Sequence, residues 1–201
     1  MLDFMSKGGV LVIPIGLCSV AALALFIERL LFFWQFQKGI KNLQERLTRL
    51  IRDAKFSEAM ALAASRKNAL GRIYFELLSL REHPDAIQQE AIREAYERES
   101  KTLSARLQLL ATIGNIAPLL GLLGTITGMI KAFMVIQQAG GKVDAAALAG
   151  GIWEAMLTTA LGLAVALPVM MGHSYLVFCV ESRESMLKQS IVSYLKETSA
   201  P

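Results

Sequence analysis

The sequence predicts an all-α membrane protein: three transmembrane helices with long helical extensions outside the bilayer. Three observations carry this. The chain is 54% hydrophobic and only 19% charged, with mean hydropathy +0.44, which moves it away from the soluble average. Three windows, Val10–Ile27, Ala111–Ile130 and Ala155–Val180, carry no Asp, Glu, Lys or Arg, His173 being the one imidazole in them. At 1.5 Å per helical residue even the shortest reaches about 27 Å, close to the thickness of a hydrocarbon core. Outside the windows the apolar residues keep a helical period and few prolines or glycines interrupt them.

The first span is expected over 10–34, after a short lead over 1–9. Its apolar run exceeds that of a secretory signal and only Lys7 precedes it, so it is read as retained. Glu28–Arg29 closes it as an interfacial charge pair, with Trp34 as aromatic anchor. Cys18 and Cys179 fall inside or at the ends of spans, where a small apolar filler is the simplest role.

Residues 35–108 form the large loop. It holds 14 Lys or Arg, against Lys142 alone in the Gln137–Gly151 connection. The excess of basic residues places the loop in the cytoplasm and the N-terminus and the 137–151 loop outside. Within it, Leu43, Leu47, Leu50 and Ile51 mark one helical face, and a short amphipathic unit from Ser57 ends near Gly71. A helix then starts at Pro84, a favoured first-turn residue. No further proline or glycine occurs before Gly114, so this helix is expected to run unbroken into the second span, 109–136. The third span is placed at 152–180, and Glu181–Leu195 of the cytoplasmic tail, 181–201, extends its helix.

The second span is rich in residues that weaken a lone helix. Pro118, Gly121, Thr125, Gly128 and Ala132 follow at spacings of three, four, three and four, with Gly124 a further small residue between them. Ala155, Thr159, Gly162 and Ala166 repeat the pattern in the third span. Such stripes let helix backbones approach closely where lipid removes the hydrophobic drive. Packing of the two spans against each other accounts for the glycines. Thr125, Thr127, Thr158 and Thr159 can each satisfy their hydroxyl on the preceding turn, so they do not by themselves mark a wet surface. Glu154, at the outer start of the third span, is a carboxylate close to membrane depth, a functional position by default; at the end of its span it equally suits an interface with water. No P-loop and no His or Cys cluster accompanies it, nothing points to an enzyme, a metal site or a cofactor, and no nucleic-acid signature is present. The basic loop residues suit anionic lipid headgroups.

The strings "APLLGLLGTITGMIKAF" and "IWEAMLTTALGLAVALPVMM", with "ERLLFFW" at the end of the first span and "FSEAMALA" in the loop, resemble the MotA/TolQ/ExbB proton-channel family and look most like its ExbB branch. The resemblance covers nearly the whole chain. It implies a homo-oligomeric, pentameric ring in the bacterial inner membrane. The ring would enclose the single transmembrane helices of an ExbD-like partner and work with a TonB-like protein to power import of siderophore or vitamin cargo across the outer membrane. It also implies pore-lining roles for Thr125, Glu154 and Thr159. On a regular helix Glu154 and Thr159 stand about 140° apart, whereas Thr158 is about 40° from Glu154, so Thr158 stays a rival for the lumen. No aspartate lies inside a span, consistent with an acid supplied by the partner. Two alternatives remain: a TolQ subunit of the Tol envelope system, and a structural ring that only positions proton-carrying partner helices. A MotA role is weaker, because no charge cluster in the loop demands a rotor.

Overall fold

A computed structural model of the protein describes residues 9–36, 40–66, 68–138 and 145–198. All its regular structure is helical: α1 Val12–Phe36, α2 Ile40–Arg52, α3 Phe56–Ala64, α4 Ala69–Ser79, α5 Asp85–Ser104, α6 Leu107–Gln138 and α7 Ala145–Thr198. Three stretches, Val12–Trp34, Asp85–Gln138 and Leu148–Thr198, are long and apolar enough to cross a membrane. The chain divides into two compact units. One comprises 1–29 and 106–175; the other comprises 30–105 and 176–201.

In the first unit, α6 and α7 pack antiparallel along a seam of small residues. The buried positions of α6 are Leu107, Leu110, Gly114, Ala117, Gly121, Gly124, Gly128 and Ala132. A methyl group on Gly121 would stand 3.0 Å from the Thr159 Cα, one on Gly162 2.6 Å from the Ala117 carbonyl oxygen, and one on Gly128 2.9 Å from the Ala155 Cβ. Backbones this close need glycine, which offsets its unfavourable helix propensity. The seam corrects the expected stripe at two positions on α6. Ala117 rather than Pro118, and Gly124 rather than Thr125, face α7; on α7 it is Thr158, 2% exposed, that is buried rather than Thr159. Pro118 is half-buried inside the continuous helix.

The second unit is a helical bundle. Leu43, Leu47 and Ile51 of α2 are buried, as the period of that segment implies. The turn after α2 is a Schellman closure: Lys55 N–H donates to the Leu50 carbonyl and Ala54 N–H to that of Ile51, with Ala54 in the left-handed region at φ 56°. α3 ends at Ala64, before Gly71, which instead lies inside α4. A Cβ there would meet the Arg66 and Ala63 carbonyl oxygens at 2.6 and 2.9 Å, so Gly71 serves the close packing of α3 on α4, and the α4 start is set by Asn68, whose side chain accepts from Gly71 N–H at 2.8 Å. Tyr74 donates to the Ser190 carbonyl and Tyr194 to that of Leu77, both at 3.1 Å, with the rings edge to face. Burial pushes the Tyr74 phenol up to about 12, against a hydrogen bond from Thr48. Glu99 of α5 is 3% exposed and holds Arg72 through two hydrogen bonds of 2.7 and 2.6 Å; that bonding raises the Arg72 pKa. A buried carboxylate without such a partner would be costly.

The helix expected to run unbroken from Pro84 into the second span is interrupted. Ala105 is extended, with ψ 141°, and Arg106 is left-handed, with φ 65°. No glycine or proline marks the place. The interruption falls where the buried face of α5, Ala95, Glu99 and Leu103, gives way to the seam that starts at Leu107, so each helix takes the rotation its own neighbours require. Arg106 there pairs with Glu28. At the other end α7 is one helix to Thr198, the continuation expected of Glu181–Leu195. It begins at Ala145 and α6 ends at Gln138, so helix enters both ends of the expected 137–151 loop, whose centre, including Lys142, lies outside the described residues.

Candidate functional site

The candidate residues lie on the α6–α7 pair, and the glycine seam sorts them. At about 100° per residue, Thr125 on α6 and Thr159 on α7 are each rotated about 60° from the centre of the seam in the same sense, whereas Lys131 and Glu154 are rotated about 60° and 80° in the other. In an antiparallel pair equal senses fall on the same side. The two threonines therefore share one flank, and Lys131 and Glu154 share the opposite one.

The contacts agree with this arrangement. Lys131 Nζ lies 2.8 Å from Glu154 Oε1, the side chains 57% and 26% exposed. α1 packs on this same flank: Phe26 covers Gly172, with ring atoms 3.0 Å from where a Cβ would stand, and Ala22, Leu23 and Phe26 line a groove with Leu161 and Val165. The turn that leads into α1 reaches Glu154 itself. Gly9 adopts φ 69°, and a side chain there would overlap the Glu154 carboxylate, so only glycine suits both the backbone and the contact. Glu154 Oε1 is thus flanked by an ammonium from α6 and by backbone ahead of α1.

On the other flank, Thr159 donates to the Gly121 carbonyl across the seam at 3.1 Å, and Thr125 donates to the Leu122 carbonyl of its own helix at 2.7 Å. Both are partly exposed. Each hydroxyl spends its proton on the protein and keeps oxygen lone pairs free to accept from water or from a protonated group. Thr158 is taken up differently. It donates to the Ala155 carbonyl at 2.8 Å and fills the space over Gly124. Thr127 bonds back to Leu123 and Gly124 at 3.0 and 3.1 Å. The structure therefore brings Glu154 to Lys131 and Gly9, Thr159 to Gly121 and Thr158 to Gly124, and it separates Glu154 from the Thr125–Thr159 flank. Sequence reasoning did not single out Lys131. The available signal was its position: a lone cation at the end of one span and a lone anion at the start of the next, which a short connection brings together.

Among the described residues no group of His, Cys, Asp or Glu could hold a metal ion, and Cys18 and Cys179 are free thiols.

Comparison with known proteins identifies the family. The model of the MotA/TolQ/ExbB proton channel family matches residues 54–189. The chain is 36% identical over 187 residues to a putative biopolymer transport protein, ExbB-like 1, of Synechocystis sp., covering 88% of this chain and 70% of the relative. It is 28% identical over 186 residues to a biopolymer transport protein of the ExbB type from Vibrio cholerae, covering 91% and 82%. A Tol-Pal system protein TolQ of Pseudomonas aeruginosa is 38% identical over 97 residues, 45% of this chain and 40% of the relative. With three apolar helices and a family match over more than half its length, the chain is a multi-pass membrane protein that belongs to the MotA/TolQ/ExbB proton channel family.

Proposed function

We propose that this chain is the ring-forming subunit of an ExbB-type energy transducer of the bacterial inner membrane. Five copies enclose the single-span helices of an ExbD-like partner, and a TonB-like protein carries the proton-derived work to outer-membrane import. The observation that carries the reading is the flank of the α6–α7 pair that bears Thr125 and Thr159. It lies opposite the flank covered by α1, and its two hydroxyls retain acceptor capacity. Facing an axis shared with other copies, such a flank lines a narrow space that can hold water. Thr158, buried in the seam, serves packing in this reading, and Thr159 is the lumen residue. Glu154 lies on the opposite flank near the end of the pair, so in this reading it accepts protons at the mouth of the path and not within the threonine-lined lumen, and an acid on the partner helix completes the relay.

Membership in a proton-channel family supports transport over the purely structural ring. Relatives named ExbB favour the import reading, and the match to TolQ supports the Tol system as the second reading. The partners separate the two: co-purification with an ExbD-like single-span protein and a TonB-like protein supports the first, and with Tol-system proteins the second. The direct test is Glu154→Gln, which keeps shape and removes titration, beside Thr125→Val and Thr159→Val. Each is expected to assemble with normal oligomer mass and to lose most gradient-driven transport. Full transport by a well-assembled Glu154→Gln variant overturns the reading.

A further inference from the structure

The pairing of Lys131 with Glu154 does more than tie two helices. An ion pair this exposed contributes little to stability, so its place at the one carboxylate in the spanning part of the α6–α7 pair is what calls for an account. We propose that Lys131 is a positioning and cation-discriminating residue: it keeps metal cations off Glu154 while leaving that carboxylate open to protons. This rests on the reading of Glu154 as a proton acceptor and adds how the site selects its ion.

The argument follows from charge and space. A bare carboxylate at the mouth of an ion path attracts any small cation. Here Oε1 already has a tethered ammonium at 2.8 Å, on a side chain anchored to α6. An alkali ion placed on the same carboxylate would stand within a few ångströms of that ammonium, and like charges at such range repel. A proton meets a different balance. It adds to the carboxylate oxygen as an O–H bond, the carboxylate becomes a neutral carboxylic acid, and Lys131 keeps its own proton and turns to water. No second full charge has to be accommodated beside the ammonium within the site. Gly9 limits the alternative. A Cβ there would overlap the same Oε1 that Lys131 holds, so the backbone, turned at φ 69°, crowds that oxygen and a cation that reaches it must compete with Lys131.

The experiment uses the full chain in cells together with its native partners, with gradient-driven transport measured in sodium chloride and in choline chloride of equal ionic strength, so that screening is constant. The wild type and Lys131→Arg, which preserves the cation, are expected to transport alike in the two salts. Lys131→Gln is expected to work in choline and to fall several-fold in sodium, with oligomer mass unchanged. Equal transport by Lys131→Gln in the two salts, whether high or absent, overturns the inference, as does sodium sensitivity in Lys131→Arg. Glu154→Gln is run alongside: if it transports fully, the reading of the site itself fails, whereas an inactive Glu154→Gln beside a sodium-indifferent Lys131→Gln overturns the role of Lys131 alone.

Discussion

Ala54 is held in the left-handed region to close α2, a conformation that costs an L-residue roughly 1 kcal/mol relative to glycine. Ala54→Gly should therefore stabilise the protein by up to about 1 kcal/mol, partly offset by the greater freedom of glycine in the unfolded chain, and thermal unfolding in detergent should show a higher midpoint. Tyr74 supplies a titration of known sign. Its phenol is pushed up to about 12 by burial, above the usual value near 10, so the folded state favours the neutral form. That contribution is fully present below about pH 10 and is lost as pH rises toward 12. Denaturation across this window should show stability falling with pH in the wild type and a flatter profile in Tyr74→Phe. The phenylalanine variant should also be less stable by about 1 kcal/mol at neutral pH, through loss of the hydrogen bond to the Ser190 carbonyl.

At the scale of elements, the α6–α7 seam makes a prediction about pairs. A methyl on Gly124 would overlap the Thr158 side chain, whereas the space over Gly162 is bounded by the Ala117 backbone. Gly124→Ala should weaken assembly in detergent and be restored by Thr158→Gly rather than by Thr158→Ala, since the Thr158 Cβ would itself stand 2.5 Å from the new methyl and only glycine removes it. Gly162→Ala should have no single-residue rescue on α6, because backbone cannot be trimmed. Native mass spectrometry of these variants checks this, and a Gly124→Ala defect that Thr158→Gly does not relieve would show that the seam runs elsewhere. The same seam shows what was legible beforehand. Gly121, Gly128 and Ala132 were on the expected stripe and are buried; Pro118 and Thr125 were one residue away from Ala117 and Gly124. Neighbouring residues differ by about 100° around a helix, so a run of small residues fixes the presence of a close contact but leaves its rotation open until the partner's surface is known.

For the whole molecule, the excess of basic residues in the large loop predicts that a reporter fused after Asn68 is cytoplasmic and one fused after Gly141 periplasmic. The reverse pattern would remove the orientation on which the proposed transducer rests. If five protomers do form a ring, the mass of the detergent-solubilised complex will reveal it. The threonine flank then has to face the shared axis, so cysteines introduced at Thr125 should cross-link between copies and cysteines at Lys131 should not.

The sequence by itself determined the three apolar helices, the helical loop, the close α6–α7 contact and the family, because each follows from local composition, period or motif. The tertiary structure alone decided four further matters: the break at Ala105–Arg106, the place of Gly71 inside α4, the burial of Thr158 with Thr159 left at the edge, and the flanking of Glu154 Oε1 by Lys131 and Gly9. Each depends on residues far apart in the chain, and no local pattern contains a distance between them. Glycine can end a helix or admit a neighbour, threonine can fill a seam or flank it, and a carboxylate can face water or a lysine; only the packed partner selects among these.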